Sequence, residues 1–552
     1  MGRKRVGPAE IDTGLLTGSW RRLVLSAPHL EPGTVDWKVY AFCVLEQVHR
    51  MLRSMQVFAK NSSKWGDPRA ELLDGEAWEQ AEPTVLASLN LPAEVGQHLA
   101  ARAALLDGTY REVAARVPAN SQIVFDDDGT AAFPALEPEP EPKPEPEPEP
   151  ASLRQPREAG GGDAAPGRPA GGPAGGVLLD RRRSGVHLGH RRRGPAEGPA
   201  RHDRRALGGA QLQRRLHPGH GDWDALKYGR LSHVDQAYLR LATYRAANDT
   251  LIDYQAAIPL AQAWGGGLVA SVDGMWFAVP VPSVYARPNP KYFGRRGGAT
   301  WLNMINNQAA GLGGKGVAGT PRDSLYVLDV LYDRDGGKRP EMIVTDTASY
   351  SDIVFGLLTP AGFAYAPQLA DLPDQKMWRI DRAADYGAFQ DAARGRVDLA
   401  RIERHWEDIL RIIGSIHTGA VRGYDVIRML PRDGRPTPLG DAIAHYGRNS
   451  KTLHILRLAD EPGYCRQIKS QANLQEGRHS PARKIFHGRH GQLYHQIGAL
   501  GLVLNALVLF TTRYMDAPVK QLRADGYAVR DEDPNLPGGL RPLRNPDSTD
   551  EE

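Results

Sequence analysis

Residues 137 to 221 interrupt the chain with a tract that has almost nothing to bury. From Glu137 to Pro150 glutamate and proline alternate nearly without a break. Proline fixes φ and removes every second amide donor, so neither a helix nor a sheet ladder can form, and an extended polyproline II spacer is expected. The stretch from Ala151 to Gly221 then holds 16 Gly and 14 Arg, but no Lys, Asn, Ile, Met, Phe, Tyr, Trp or Thr. So little apolar volume cannot offset the entropy of ordering the backbone, and a disordered segment is expected. Three readings of it stay open: an arginine-rich arm for phosphate contacts, a plain linker, or a GC-rich gene read out of frame, since the missing residue types are largely those with AT-rich codons. Whatever folds must be built from the residues on either side.

The chain as a whole has the composition of a soluble globular protein, 41% hydrophobic and 24% charged. The two cysteines, Cys43 and Cys465, are far apart and lack a CxxC partner, which excludes a disulfide framework and a zinc knuckle and makes a reducing cytoplasm the expected setting. The longest apolar run, Ile497 to Phe510, is 14 residues broken by Asn505. That is short of the ~20 needed to span a bilayer, and no apolar segment follows the basic N-terminus, so neither a membrane span nor a signal peptide is expected. The net charge of +4 conceals a local imbalance, because the 14 Arg of the tract stand against only 5 acids. A nucleic-acid surface would therefore come from local clusters rather than from a global field.

Residues 1 to 118 read as mostly helical. Trp37, Tyr40, Val44, Val48, Leu52 and Met55 recur at steps of three and four, a pattern that predicts one buried helix face. Gln122 to Leu136 suggests a hairpin turning at Asp128-Gly129. Helical periodicity resumes at Tyr228 and runs to Trp264-Gly265-Gly266-Gly267. Beyond it, Leu268 to Val281 alternates, Met342 to Val344 is a short buried strand candidate, and Phe363 to Leu369 is another. Ser324 to Tyr332 and Asp352 to Leu358 fit helices between them, so an α/β sheet is expected. Residues 397 to 470 are helical again, with Val397, Ile402, Trp406, Ile409, Ile413 and Ile416 as a core stripe.

Three acidic positions stand out. Asp273 sits in Ala270-Ser271-Val272-Asp273-Gly274, where Asp-Gly between hydrophobics reads first as a hairpin turn. Asp346, in Thr345-Asp346-Thr347-Ala348, ends a strand, a common ligand position in α/β enzymes. It would serve equally as an N-cap for the helix behind it. Glu476 lies in a basic helical run, and spacing puts Glu476, His479, Arg483 and His487 on one face; an ordinary solvated helix explains that face as well.

Taken as ordered blocks, these residues resemble the replicative transposases of the Tn-three family of bacterial unit transposons. The resemblance rests on Trp264-Gly-Gly-Gly267, Ala270-Ser-Val-Asp273-Gly, Pro288-Asn-Pro-Lys-Tyr-Phe-Gly294, Pro321-Arg-Asp-Ser-Leu-Tyr326, Thr345-Asp-Thr-Ala348 with Tyr350-Ser-Asp352, and Glu476-Gly-Arg-His479. It continues through Ala482-Arg483, Phe486-His-Gly488 and Gly498-Ala-Leu-Gly-Leu502, and Trp65-Gly-Asp-Pro68 matches near the start.

The resemblance implies an α/β RNase H-like catalytic domain with a long helical insertion and a DDE triad, falling on Asp273, Asp346 and Glu476. It divides the chain into a mainly helical scaffold (1–136), the spacer and Arg/Gly-rich segment (137–222), a helical lead-in (223–262), the catalytic domain (263–522, insertion about 385–470) and a polar tail (523–552). Intervals of 73 and 130 residues between the three acids leave room for that insertion. It further implies a two-metal Mg²⁺ site, with Mn²⁺ able to substitute, held by the same three carboxylates. Lys291, Arg295 and Arg296 in a glycine-rich loop, and Arg478, Arg483 and Lys484 beside Glu476, are the expected DNA-backbone contacts. Partners would be transposon-end and target DNA and further copies of the chain, in the bacterial cytoplasm at the nucleoid, with no membrane. The chain begins in what resembles the middle of such transposases, and residues 154 to 221 match no family pattern. Two function classes therefore stand: a DNA transposase, or an inactive remnant with at most non-specific DNA binding.

Overall fold

A computed structural model of the chain describes, apart from isolated positions, residues 7–26, 31–119, 124–125, 131–132, 228–279, 286–369, 375–432, 435–485 and 493–527. The Glu-Pro spacer, the Arg/Gly-rich stretch, Asp126 to Asp128, His487 and the tail from 528 lie outside the described residues.

The first helices are α1 (Trp37–Arg53), α2 (Gly75–Leu89) and α3 (Val95–Arg116). Helix α1 forms where the periodicity puts it, but its buried line is rotated. Tyr40 and Cys43 face inward beside Leu16 and Val24, while Trp37 and Val48 are exposed. The partner is the short helix Ser19–Leu25, which covers only that side. Helices α2 and α3 instead join the main core, and the Trp78 indole lies against Gly414, where any β-carbon would collide with it. Val124–Phe125 and Ala131–Ala132 pair antiparallel as the expected hairpin.

The central sheet is built from β1 (Val269–Val279), β2 (Gly297–Asn306), β3 (Gly311–Ala318), β4 (Met342–Val344) and β5 (Ala364–Tyr365). Their order is β3-β2-β1-β4-β5, and Arg287–Pro288 also pairs with β2. Strand β2 runs antiparallel to both β1 and β3; β4 and β5 run parallel to β1. Asp273-Gly274 is thus not a turn. Asp273 stands opposite Asn303 and Gly274 opposite Leu302, in the middle of β1. The tight turn of this region lies between β2 and β3, where Ala309 takes a positive φ of 65°. Strand β3 is rich in glycine because the Trp301 indole nitrogen lies where a β-carbon on Gly314 would be.

The larger helices, which cover both faces of the sheet, are α4 (Leu241–Ala256), α5 (Asp352–Leu358), α6 (Trp406–His417), α7 (Pro438–Asp460), α8 (Pro462–Ile485) and α9 (Leu493–Ala524). All six residues of the predicted stripe from Val397 to Ile416 are buried, in one cluster with Val272, Leu302 and Met304 of the sheet. Helices α5 and α7 cross at Gly356 and Gly447, where a β-carbon on either glycine would strike the other helix's backbone. Within α9, Gly498–Ala524 is long and apolar enough to cross a membrane by length and composition, longer than the interrupted run suggests. It packs along α4 and β3, with Leu500 and Leu504 buried against Trp301 and Ala299.

Candidate active site

The strand pairing aligns the two aspartates. Parallel register sets Val269, Ala270 and Ser271 opposite Met342, Ile343 and Val344; two residues further along each chain, Asp273 comes level with Asp346, just beyond the end of β4. The N-cap of α5 is not Asp346 but Ser351, whose hydroxyl accepts from the Val354 amide. The Asp346 carboxylate is left free of that duty, and its Oδ1 is buried with no hydrogen-bond partner. The turn carrying it is fixed from below. Thr345 Oγ1 meets the Tyr365 hydroxyl at 2.9 Å, and that hydroxyl donates to the Ser349 carbonyl at 2.8 Å.

Asp273 accepts from its neighbour's amide, Gly274 N, at 2.7 Å. Burial pushes its carboxyl above the usual carboxylate range; the His479 ring and the Gly274 amide oppose that, and the charges of Asp346 and Glu476 add to it. Glu476 reaches the same place from α8. Its Oε2 lies 3.7 Å from His479 Nδ1, and its Oε1 is 2.9 Å from the Arg483 guanidinium. Contact with His479 first, and then with Arg483, outweighs its partial burial and holds this carboxyl down at about 2. Ligand atoms of Asp273, Glu476 and His479 all fall within 4.8 Å of one another. Asp346 stands outside that tight group but close enough to act on Asp273 electrostatically.

Helix α8 is seated on the sheet by a polar stripe. Gln471, Gln475 and His479 follow one another at four-residue steps, and all three are buried among Ser271, Asn303 and Ile305. Sequence reasoning sets His479 on the face of Glu476 without giving it a role and passes over Gln471 and Gln475, although the spacing of three polar residues down one helix face is there to be read. Buried amides on a helix that also carries Glu476 and Arg483 look like solvated positions until the neighbouring strands are known.

Lys291, Arg295, Arg296, Arg483 and Lys484 are exposed. Arg478 is not, which corrects its expected place among the DNA-backbone contacts. Its side chain is 1% exposed and donates to Asn505 Oδ1 at 3.0 Å inside the protein. Two residues along a helix lie ~200° apart, so a position two after Glu476 points back into the core. Gly311 makes the room, because a β-carbon there would run into the guanidinium.

Comparison with known proteins agrees with these features. The family described as the Tn3 transposase DDE domain matches residues 216–536, more than half of the chain. The chain is 71% identical to the transposase for transposon Tn4556 of Streptomyces fradiae, over all of this chain and 64% of that protein. It is 35% identical to the transposase for transposon gamma-delta of Escherichia coli (strain K12), over 94% of this chain and 52% of that protein. It is 28% identical to the transposase for transposon Tn501 of Pseudomonas aeruginosa, over 95% of this chain and 52% of that protein. The chain belongs to the Tn3 family of DDE transposases. It spans between about half and two thirds of the length of these relatives.

Proposed function

We propose that the chain carries the catalytic chemistry of a DNA transposase: metal-dependent cleavage at the 3′ ends of a bacterial unit transposon, and joining of the freed 3′-OH to target DNA. The observation that carries this reading is the convergence of Asp273 from mid-strand, Asp346 from a strand end and Glu476 from a helix. The strand order, three antiparallel followed by two parallel to the first, supports an RNase H-like domain over residues 263–522 with a helical insertion near 385–470. Around it stand the helical scaffold (1–136), the spacer (137–222), the lead-in (223–262) and the tail (523–552).

Three carboxylates are a hard, anionic donor set, and the unpartnered buried Oδ1 of Asp346 suits a cation better than it suits an apoprotein. Mg²⁺, replaceable by Mn²⁺, is the ion this donor set favours, with Asp273, Asp346 and Glu476 as ligands. A bound pair of such ions supplies an activated water and stabilises the departing 3′ oxygen. The protein's own part is to fix the carboxylates and to keep the DNA backbone in line. Lys291, Arg295, Arg296 and Lys484, all exposed, can meet phosphates without reading bases. Arg483 balances Glu476 until DNA and metal arrive. Partners in this reading are transposon-end and target DNA together with further copies of the chain, in the cytoplasm at the nucleoid, with α9 as a core helix.

The test is strand transfer of pre-cut transposon-end oligonucleotides into plasmid DNA with Mg²⁺ or Mn²⁺. Asp273→Asn, Asp346→Asn and Glu476→Gln should each abolish joining while leaving DNA binding and thermal unfolding close to the parent. Full activity in any one of them removes that residue from the site. DNA binding by the parent with no metal-dependent joining favours the inactive-remnant reading.

A further inference from the structure

The buried polar stripe under the carboxylates has a direction. Each amide on it is oriented by a main-chain carbonyl: Gln471 Nε2 donates to Ile305 O, Gln475 Nε2 to Asn303 O and Asn303 Nδ2 to Asp273 O, each at 3.3 Å. With the amides so fixed, the side chains form a relay. Gln471 Nε2 donates to Ser271 Oγ at 3.0 Å, and Ser271 Oγ donates to Gln475 Oε1 at 2.8 Å. Gln475 Nε2 then donates to Asn303 Oδ1 at 2.9 Å, and Asn303 Nδ2 to His479 Nε2 at 2.8 Å. Gln475 Nε2 also lies 3.2 Å from that same ring nitrogen.

The amide N–H of Asn303 faces Nε2 of His479, with Gln475 Nε2 beside it already donating to Asn303 O and Oδ1; Nε2 must be the acceptor, and the ring's proton sits on Nδ1. Nδ1 is 3.6 Å from Asp273 Oδ2 and 3.7 Å from Glu476 Oε2. It stands between a carboxylate borne by β1 and one borne by α8, on a ring that is 1% exposed and cannot swing away.

We propose that His479 is a positioning residue of the transposase site: not a metal ligand, but a buried Nδ1–H dipole, held in one tautomer by Asn303, that lies between Glu476 of the helix and Asp273 of the strand and draws both carboxylates toward one place. This rests on the reading of Asp273 and Glu476 as metal-binding carboxylates. At 3.6 and 3.7 Å the Nδ1–H makes a hydrogen bond to neither carboxylate; its dipole attracts both, which biases their orientation as outer polar partners do at metal sites.

The experiment uses the whole chain, Mn²⁺ as the probe and pre-cut ends as substrate. His479→Leu should lower both the apparent Mn²⁺ affinity and the joining rate by about 10- to 100-fold, the usual loss for an outer partner of a metal ligand. His479→Asn, whose amide nitrogen can occupy the place of Nδ1, should recover most of both. Electron spin-echo spectroscopy of Mn²⁺ on the unmodified chain should show no directly bonded nitrogen, a readout that needs no variant to fold. A directly coordinated nitrogen overturns the proposal, as does Mn²⁺ affinity and joining unchanged in a folded His479→Leu, or His479→Asn as impaired as His479→Leu. Asp273→Asn runs beside them; if it keeps Mn²⁺ binding and joining, the site reading itself has failed, whatever the His479 variants do.

Discussion

Gly447→Ala perturbs the joint that carries Asp346, and its cost can be worked from the packing. At the crossing of α5 and α7 an added β-carbon on Gly447 meets the Asp352 carbonyl oxygen and the Gly356 amide nitrogen. Both are backbone atoms, so no side chain can rotate out of the way, and the helices must separate. Overpacking of this kind costs about 3 kcal/mol, the upper end of the usual range. The gain in helix propensity from Gly to Ala returns about 1 kcal/mol. A net loss of about 2 kcal/mol remains, roughly a 30-fold shift in the folded-to-unfolded ratio. At a urea slope of about 2 to 3 kcal/mol per M, the midpoint falls by up to about 1 M. Gly108→Ala in α3 is the control, since its β-carbon meets nothing within 4 Å and should be neutral or slightly stabilising. Because α5 begins at Asp352, six residues after Asp346, strand transfer should also fall at temperatures where Gly447→Ala is fully folded. Urea unfolding followed by circular dichroism decides it: a midpoint unchanged or raised in Gly447→Ala would refute the close crossing.

Asn505→Leu should destabilise the fold by about 3 to 5 kcal/mol in the same denaturation assay, because it removes the acceptor of the buried Arg478 guanidinium and the partner of Asn248 and Gly311; a loss under about 1 kcal/mol would show that Arg478 finds another acceptor. Stability should fall on acidification between pH ~6.5 and ~4. Buried His454, held between the Tyr464 hydroxyl and the Pro367 carbonyl, is pushed down to about 4, so the unfolded chain binds a proton in that window that the folded chain refuses. His454 accounts for about 3 kcal/mol of that fall, and His454→Gln should flatten the slope, though not wholly, since His445 is also depressed to about 4; a slope unchanged by the substitution would remove His454 as its source. Replacing Lys291, Arg295 and Arg296 with alanine should weaken DNA binding alike for every sequence and reduce the salt slope by about 1 for each phosphate no longer neutralised; a change in sequence preference would mean that these residues read bases.

The three acids proposed as a triad stand out in the sequence because ordered blocks surround them, yet local rules alone misread Asp273 as a turn. Asp-Gly is a turn signal when its flanks fold back on each other. Here the partner strand is β2, whose start 24 residues later is hidden behind glycines, so the pair runs straight through the dipeptide. The alternation of buried and exposed residues that marks a one-sided strand begins only at Met275, because the earlier part of β1 is covered on both faces. Met342 to Val344 was readable as a buried strand since all three residues are apolar and fully covered. Strand β3 was not readable at all: Gly313 and Gly314 carry no side-chain signal, and their reason lies in neighbours remote in sequence, the backbone of residues 333 to 335 and the Trp301 indole. Arg478 shows the same limit. Its charge suggests solvent; helix phase turns it away from Glu476, and the Gly311 gap and Asn505, both remote in sequence, let it be buried there.

The three carboxylates are held by different kinds of force, and that difference orders how the site should fail. Asp273 is fixed by backbone pairing to Asn303 of β2, two residues beyond the last pair of β1 with β4, next to the apolar layer of Val272 and Leu302. Asp346 depends on a turn pinned by Tyr365 and by the packing of α5 onto α7, which is apolar and geometric. Glu476 alone rides on a helix, and between the helix's apolar anchors Ile468 and Ala482 with Ile485 its contact with the sheet is a line of polar side chains. Apolar packing tolerates small displacements at modest cost, whereas a buried hydrogen-bond chain loses a partner outright when one member shifts. Glu476 should therefore be the first of the three to leave its place when the fold is loosened, even though the strand carrying Asp273 remains paired. On the proposed reading of the three acids as metal ligands, the site would then keep its two strand-borne aspartates while losing Glu476, so that residual metal binding would outlast strand transfer as denaturant is raised.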